Sequence, residues 1–161
     1  CSSYRSDSSH LSMKFHLALG ALLLSASPAV ADDLLYLRCN QSGDLVITNT
    51  TTSKIIEDIN LEDIAYVKVD FKKKTILDTR SEAPLSFTVQ NSFMTVLTKY
   101  DNNELKVNDV AKMNLLPPYP ISSNGTIEFK NKNRTNTHSA KGSCEEIEAS
   151  VFEKALKESE S

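Results

Sequence analysis

The sequence contains no tryptophan, and among its 161 residues only four are glycine, three are cysteine and three are histidine. Glycine is too sparse to build a phosphate-binding loop, and neither a P-loop nor a G-x-G-x-x-G turn occurs. The chain also lacks the G-x-S-x-G motif of many hydrolases and the H-E-x-x-H motif of zinc proteases. Without tryptophan there are few aromatic platforms for a sugar, which argues against a paired-carboxylate glycosidase. We therefore predict no catalytic residue, no cofactor and no bound metal.

Residues 13–31 have the pattern of a secretory signal peptide. Lys14 supplies a positive charge, Leu17–Leu24 is an almost unbroken apolar run, and a small-residue Ala-Val-Ala sequence ends at Ala31. The apolar run is too short to cross a bilayer, which takes about 20 residues. We predict cleavage between Ala31 and Asp32 and a secreted or periplasmic location, and so compact a signal peptide is typical of a bacterial protein.

The stretch before this segment, residues 1–12, is polar, rich in serine and without a hydrophobic pattern. Signal peptides normally stand at the N-terminus, so Met13 is the expected start and residues 1–12 are interpreted as upstream or mis-annotated sequence. An unusually long polar leader is the alternative. The remaining residues, 32–161, have a length typical of a single exported domain.

The predicted mature chain is mildly acidic. Arg5, Lys14 and Asp7 precede the cut, which leaves 16 basic and 20 acidic residues and a net charge of −4. Such a balance provides no basic surface for nucleic acid or for anionic lipids. We expect no nucleic-acid partner and no insertion into a membrane after processing.

Removal of the leader also removes Cys1 and leaves two cysteines, Cys39 and Cys144. In an oxidising compartment a pair of this kind usually forms a disulfide. The bond would close a loop of about 105 residues, for which the chain-entropy model gives roughly 4–5 kcal/mol of stabilisation. A metal site or a catalytic thiol pair is the competing interpretation, but it lacks C-x-x-C spacing and nearby histidines.

Alternation of apolar and polar residues predicts strands in Ala65–Phe71, in Leu85–Val89 and in Ile127–Lys130. In the second of these, Leu85, Phe87 and Val89 are predicted to face the core. Less regular strand-like segments are Leu34–Cys39, Leu45–Asn49, Thr75–Asp78, Phe93–Tyr100 and Glu104–Met113.

Turn-forming residues separate these segments at intervals of roughly 8–12 residues, as in antiparallel meanders, sandwiches and small barrels. They occur at Ser42–Asp44, Lys72–Lys74, Asn91–Ser92, Asp101–Asn103 and Ser123–Gly125, and Pro117–Pro120 is read as a loop because proline cannot continue a central strand. The predicted fold is mainly β: an antiparallel β-barrel or curved sandwich of roughly eight strands with one short C-terminal helix.

The C-terminal helix is predicted over about 150–158. Ser150 and Glu153 have the spacing of a capping box, and apolar residues follow at helical intervals (Val151, Phe152, Ala155 and Leu156). The favoured interpretation is that this helix covers one opening of the sheet. A helix that binds a partner is the alternative.

The residues with possible chemistry are isolated or occur in turn-like segments. His138 is the only histidine after the cut and lies in the polar run Asn131–Ser143, so we interpret it as solvated and not catalytic. Two groups of acidic and amide residues could offer oxygen ligands to calcium, but neither has the spacing of an EF-hand. These are Asp101–Glu104 and the residues around Asn60 (Glu57, Asp58, Glu62 and Asp63).

The sequence therefore favours an exported, non-enzymatic binding domain with a barrel-like fold. Its partner would be a small apolar ligand within the barrel or another protein on its surface. A structural or envelope-associated accessory protein is the alternative, and a hydrolase is a third possibility that the lack of a catalytic motif disfavours. No resemblance to a named family is specific enough to assign residues. An open apolar cavity would favour the ligand-binding domain, and a large exposed apolar patch beside a filled interior would favour the accessory protein.

The signal-peptide pattern generates a direct prediction. We expect the exported protein to begin at Asp32, because Ala31 completes the small-residue cleavage signature. N-terminal sequencing of the protein recovered outside the cytoplasm measures this, and a chain beginning at Met13 or Cys1 would contradict it.

Overall fold

The computed structural model describes residues 33–161, which form nine strands, one α-helix and a short 3-10 helix at Lys130–Lys132. Residues 1–12, the signal peptide and the cleavage site between Ala31 and Asp32 lie outside the described residues, and the interpretations of them stay predictions. The elements are β1 (Leu34–Asn49), β2 (Ile55–Asp70), β3 (Thr75–Asp78), β4 (Leu85–Ser86), β5 (Thr88–Gln90), β6 (Phe93–Asp101), β7 (Leu105–Asn114), β8 (Pro120–Phe129), β9 (Arg134–Glu146) and α1 (Ala149–Glu160).

All nine strands belong to one sheet, in the order β4-β3-β2-β1-β9-β8-β7-β6-β5. The registered pairs β2–β3, β5–β6, β6–β7, β7–β8 and β8–β9 are antiparallel. The two outer strands of this order, β4 and β5, are separated in sequence only by Phe87. The predicted fold class, mainly antiparallel β with one short C-terminal helix, is confirmed, with nine strands in a single sheet against roughly eight predicted.

The described residues divide into two compact units. The first comprises the described residues up to Arg38, together with Ala65–Leu85 and Glu146–Ser161. The second comprises Cys39–Ile64 and Ser86–Glu145. Strands β1 and β2, at 16 residues each, contribute to both units.

In the first unit, strand residues of alternating polarity bury one face. Along β2 the apolar residues at odd positions are buried and the even positions between them are half-buried, as the alternation in Ala65–Phe71 predicts. The β1 residues of this unit follow the same rule. The buried apolar side chains of the unit are Leu35, Leu37, Ala65, Val67, Val69, Ala149 and Phe152.

The C-terminal helix is confirmed, but its predicted cap is wrong. The helix begins at Ala149, one residue before Ser150, so Ser150 lies in the first turn and no side chain caps the N-terminus. Phe152 is 1% exposed and its ring centre lies 5.5 Å from that of Tyr36 on β1. Near the other end, the Ser159 hydroxyl donates to the Thr79 carbonyl. Within this unit the helix therefore packs on β1 and on the segment after β3, although its predicted contact residue Val151 is exposed.

The second unit contains the predicted disulfide between Cys39 and Cys144. Cys39 lies on β1 and Cys144 on β9, neighbouring strands of the sheet, and both side chains are buried. The bond joins strands that are distant in sequence, so it constrains the unfolded chain strongly. The other buried apolar side chains of this unit are Ile47, Phe87, Met94, Val96, Met113 and Tyr119.

Two of the predicted turns are wrong, and in both the misleading residue is glycine. Ser42–Asp44 lies inside β1 and Ser123–Gly125 lies inside β8. A Cβ on Gly43 would come within 1.9 Å of the Ser139 carbonyl oxygen on β9, so glycine is needed there for close approach of the two backbones. By contrast, the turns at Lys72–Lys74 and Asn91–Ser92 are confirmed.

Two other predicted breaks agree with the structure. The chain turns between β6 and β7 close to Asp101–Asn103. The proline-rich segment forms the β7–β8 loop, although Pro120 is already the first residue of β8. Within this loop Tyr119 is 2% exposed, and the carbonyls of Pro118 and Tyr119 accept from the Cys144 N–H.

The predicted burial of Leu85, Phe87 and Val89 is correct only for Phe87. Phe87 is 4% exposed, whereas Leu85 and Val89 are 43% and 49% exposed. The reason is that Phe87 belongs to neither strand: the chain leaves β4 at Ser86 and enters β5 at Thr88. The alternation therefore does not continue along a single strand, and the two flanking residues lie on short outer strands.

This difference predicts that Phe87→Ala destabilises the protein by about 3–5 kcal/mol, since it removes a buried ring. Val89→Ala is the matched control, and we expect it to cost less than about 1 kcal/mol because half of that side chain is already exposed. Chemical denaturation measures both, and equal losses would contradict the burial pattern.

Candidate functional site

One face of the sheet in the second unit combines buried residues with polar ones. Residues directly opposite each other on paired strands share a face. The register places Asp109 of β7 opposite Gly125 of β8, and Gly125 opposite His138 of β9. The buried Met113 lies on the same face of β7, four residues beyond Asp109. Asp109, Gly125 and His138 thus form one row across three strands on the inward face.

The glycine in this row leaves space for the two side chains beside it. A Cβ on Gly125 would lie 2.6 Å from Asp109 Oδ1 and 2.8 Å from His138 Cε1. Above it, His138 Nε2 approaches Asp109 Oδ1 to 3.3 Å, with both side chains partly buried. The two atoms are at ion-pair distance but are not aligned as a hydrogen bond, and Asp109 Oδ1 is itself buried. The carboxylate and the imidazole therefore lie side by side above Gly125 of β8.

The interpretation of His138 as solvated and isolated is wrong about its surroundings. His138 lies within β9, between β1 and β8, and is only partly accessible. The run Asn131–Ser143 shows no alternation of apolar and polar residues, because the inward positions of this strand are themselves polar or small, as at Ala140 and Gly142. The neighbours Ser139 and Lys141 face outward and are exposed. Hydropathy therefore does not alternate along β9, although exposure does.

A cavity of about 310 Å³ lies beside His138. Its volume is at the lower end of the range of about 300–1,000 Å³ typical of small-ligand pockets. Carbon atoms form most of its wall, and several side chains add polar groups. The lining residues come from β1, β2, β8 and β9: Gln41, Leu61, Glu62, Asp63, Ser123, His138 and Ala140.

Gln41 has a special position in this wall. It lines the cavity and also a second depression of about 530 Å³, which shares Glu62 and Asp63 with the first. Its side-chain oxygen Oε1 is buried and accepts no hydrogen bond from any described residue. Buried polar atoms nearly always have a partner, so this oxygen is an unsatisfied acceptor on a residue that lines the cavity.

The first group of predicted oxygen ligands is spread along a strand and is not collected in a turn. Glu57, Asp58, Glu62 and Asp63 all lie on β2. Successive residues on a strand point to opposite faces, so neighbours in this sequence diverge. Within residues 33–161, no three histidine, cysteine or acidic side chains come together as metal ligands would.

The second group, at the β6–β7 turn, is occupied by the protein's own donors. The Lys130 ammonium donates to the Asp101 carboxylate and to the Asn102 carbonyl oxygen. The Asn102 side-chain oxygen accepts from the backbone N–H groups of Glu104 and Leu105. The hydrogen bond from Lys130 lowers the pKa of Asp101 from its ordinary value of 3.8. This turn is thus held by a lysine and by backbone donors.

No pattern in the sequence points to Gln41, Asp109, Ser123 or Ala140 as site residues. They come from four strands and have no recognisable spacing in the sequence. One available signal was Gly125, because glycine within a strand often marks a close approach of other groups. Because serine, asparagine and glycine are also typical of turns, the sequence predicts a turn at Ser123–Gly125 instead.

In comparisons with known proteins, no protein-family model and no curated protein matches the chain. Among the helices of the described residues, none has the length and apolar character needed to span a bilayer.

The Lys130 contact generates a prediction about titration. We expect Lys130→Met to raise the pKa of Asp101 towards 3.8, because the main group favouring its charged form is removed. In the unsubstituted protein, this pairing stabilises the fold above the ordinary pKa, and the contribution is lost as the pH falls through the lowered value. NMR titration of the Asp101 carboxyl carbon measures the change.

Lys132→Met is the control, because Lys132 lies over the Phe129 ring and does not contact Asp101. An Asp101 titration that is the same in both variants would show that Lys130 does not set it.

Proposed function

We propose that this chain is a small-ligand-binding domain that holds its ligand in the cavity beside His138 and carries out no reaction on it. The observation that carries the proposal is the buried, unpartnered Oε1 of Gln41, a residue that lines that cavity. Leaving such an acceptor without a partner costs roughly 1–3 kcal/mol, and a donor on a bound ligand would recover much of this cost.

The lining suggests the chemistry of the ligand. Leu61 and Ala140 offer apolar surface, while the Gln41 amide oxygen and the Glu62 carboxylate offer acceptors. His138 lines the same cavity, with its Nε2 3.3 Å from Asp109 Oδ1. The favoured ligand therefore has an apolar body and at least one hydrogen-bond donor, which modifies the small apolar ligand expected from the sequence.

Binding without catalysis is favoured by the surroundings of His138. A general base must lie within hydrogen-bond reach of the proton that it removes. Ser123 supplies the hydroxyl in this cavity, but among the described residues it makes no hydrogen bond to His138. The His138–Asp109 pair without an engaged nucleophile supports a recognition role over the hydrolase alternative.

Export to an oxidising compartment belongs to the same proposal. The disulfide between Cys39 and Cys144 supports it, because such bonds persist mainly outside reducing compartments. Together with the predicted signal peptide, it favours a secreted or periplasmic binding protein.

An accessory or interaction protein is the second candidate, and exposed apolar side chains favour it. Phe93 and Leu97 on β6 are 47% and 60% exposed. Leu97 stands directly opposite Val110 on β7, so the two share a face of the sheet. A protein partner on this face would not require the cavity.

Adjacent residues of β9 provide a test of the cavity. Ala140 lines it, and its neighbour Ser139 is exposed on the opposite face. We expect Ala140→Phe to fill the cavity and abolish ligand retention, whereas Ser139→Phe adds the same ring outside and leaves retention unchanged. Native mass spectrometry of protein purified from its own source measures the retained small molecule.

Thermal unfolding of both variants shows that they remain folded. Retention that is equal in both variants, or unsubstituted protein that carries no small molecule, would contradict ligand binding in this cavity.

A further inference from the structure

The second unit has a long strand edge without a partner. On one side β2 neighbours β1 along the sheet, and on the other side it neighbours β3. The pairing with β3 involves only Val67–Asp70. Within the described chain, residues 55–64 of β2 therefore have no strand on that side, and we call this segment the open edge.

The hydrogen bonds near β3 show which residues direct their backbone groups to this side. The Tyr66 carbonyl accepts from the Thr79 N–H, which directly follows β3. The N–H and C=O of one strand residue point to the same side, and this side alternates along a strand. Burial alternates without interruption from Ile59 to Asp70, so β2 contains no bulge there. Asn60 and Glu62 consequently present their N–H and C=O groups on the open edge.

The side chains of the open edge protect it only in part. Ile55, Ile56 and Ile64 are 66%, 61% and 49% exposed. Natural sheets usually protect edges with charged side chains, proline or very short strands, since unpaired backbone groups accept another strand, and of these the open edge has only acidic side chains. An edge with ten residues and exposed isoleucines instead suits strand addition, in which backbone hydrogen bonds bind an extended peptide and side chains select it.

The charges along the open edge indicate which peptide would fit. It contains Glu57, Asp58, Glu62 and Asp63 and no lysine or arginine. Opposite charges across paired strands stabilise the pairing and like charges oppose it. Pairing with the open edge of a second copy would bring these carboxylates together, whereas a basic strand would be attracted.

We propose that the open edge of β2 binds an extended segment of a partner protein, with alternating apolar and basic side chains, by strand addition. This inference does not rest on the proposed function. Glu62 and Asp63 also line the cavity, whereas Asp58 and Asn60 do not, and the proposal depends on backbone groups of β2 and not on a small ligand.

Binding of synthetic peptides to the full exported protein tests the proposal. The probe is a ten-residue peptide of alternating valine and lysine, followed by fluorescence anisotropy. One control has two consecutive prolines at its centre, which remove an N–H donor from each edge of the peptide. The other control replaces lysine with glutamate. We expect the valine–lysine peptide to bind and both controls to bind roughly tenfold more weakly or worse.

A matched pair of variants at Asn60 tests the backbone contact. Asn60→Pro removes an N–H on the open edge, where proline is tolerated because no strand is paired there. Asn60→Ala keeps that N–H. We expect the proline variant to bind the valine–lysine peptide roughly 3- to 10-fold more weakly, the loss of about one backbone hydrogen bond, and the alanine variant to bind like the unsubstituted protein.

Asp58→Lys gives a second test that does not depend on tolerance of proline. We expect it to weaken binding of the valine–lysine peptide and strengthen binding of the valine–glutamate peptide. No binding of the valine–lysine peptide, equal binding of the proline-containing peptide, or a dimer in sedimentation that Asp58→Lys alters would each overturn the proposal. Asp58 and Asn60 do not line the cavity, so Asp58→Lys and Asn60→Pro should leave retention of the small molecule unchanged, and failure at either site is distinguishable from failure at the other.

Discussion

The close contact between β1 and β9 is the constraint on which the second unit depends. The Cys39–Cys144 bond joins these strands covalently, and their backbones approach closely at two glycines. A Cβ on Gly142 would lie 1.8 Å from the Asn40 carbonyl oxygen, so a side chain there would force the backbones apart. This contact brings Gln41 of β1 into the same cavity wall as His138 and Ala140 of β9. Without the contact between β1 and β9, the Gln41 side chain and the His138 imidazole would not line the same cavity.

A second glycine effect places the polar groups of the site. In the register of the sheet, Gly125 lies between Asp109 and His138. Because Gly125 has no side chain, the side chains of Asp109 and His138 can meet above it. Polar residues at inward positions cost stability unless they meet one another or a ligand. In the second unit this polar row lies on β7, β8 and β9, while the buried Met113 lies four residues further along β7 and the buried Val96 lies on the neighbouring β6. That division is typical of a sheet that combines a core with a recognition surface.

Local patterns were sufficient for much of the fold but not for the site. Period-two alternation identified the buried face of β2, helical spacing identified α1, and the cysteine pair identified the bond. Gly43 and Gly125 were misread because their neighbours also suit turns, and only contacts with β9 and β7 explain them. The inward face of β9 escaped detection since Ala140 and His138 are not strongly apolar. The cavity itself is a property of four strands, which no local spacing encodes.

The loop closed by the disulfide contains most of the exposed hairpin turns, including Thr50–Lys54, Lys72–Lys74 and Asn91–Ser92. A protease that cut any one of these turns would produce two fragments that stay covalently linked. Nicked molecules would keep the mass of the intact chain, apart from one added water, and would migrate with it until a reductant was present. In a protease-rich extracellular environment, a single cut would therefore not release either fragment, and strands on both sides of the nick would remain bound at Cys39 and Cys144.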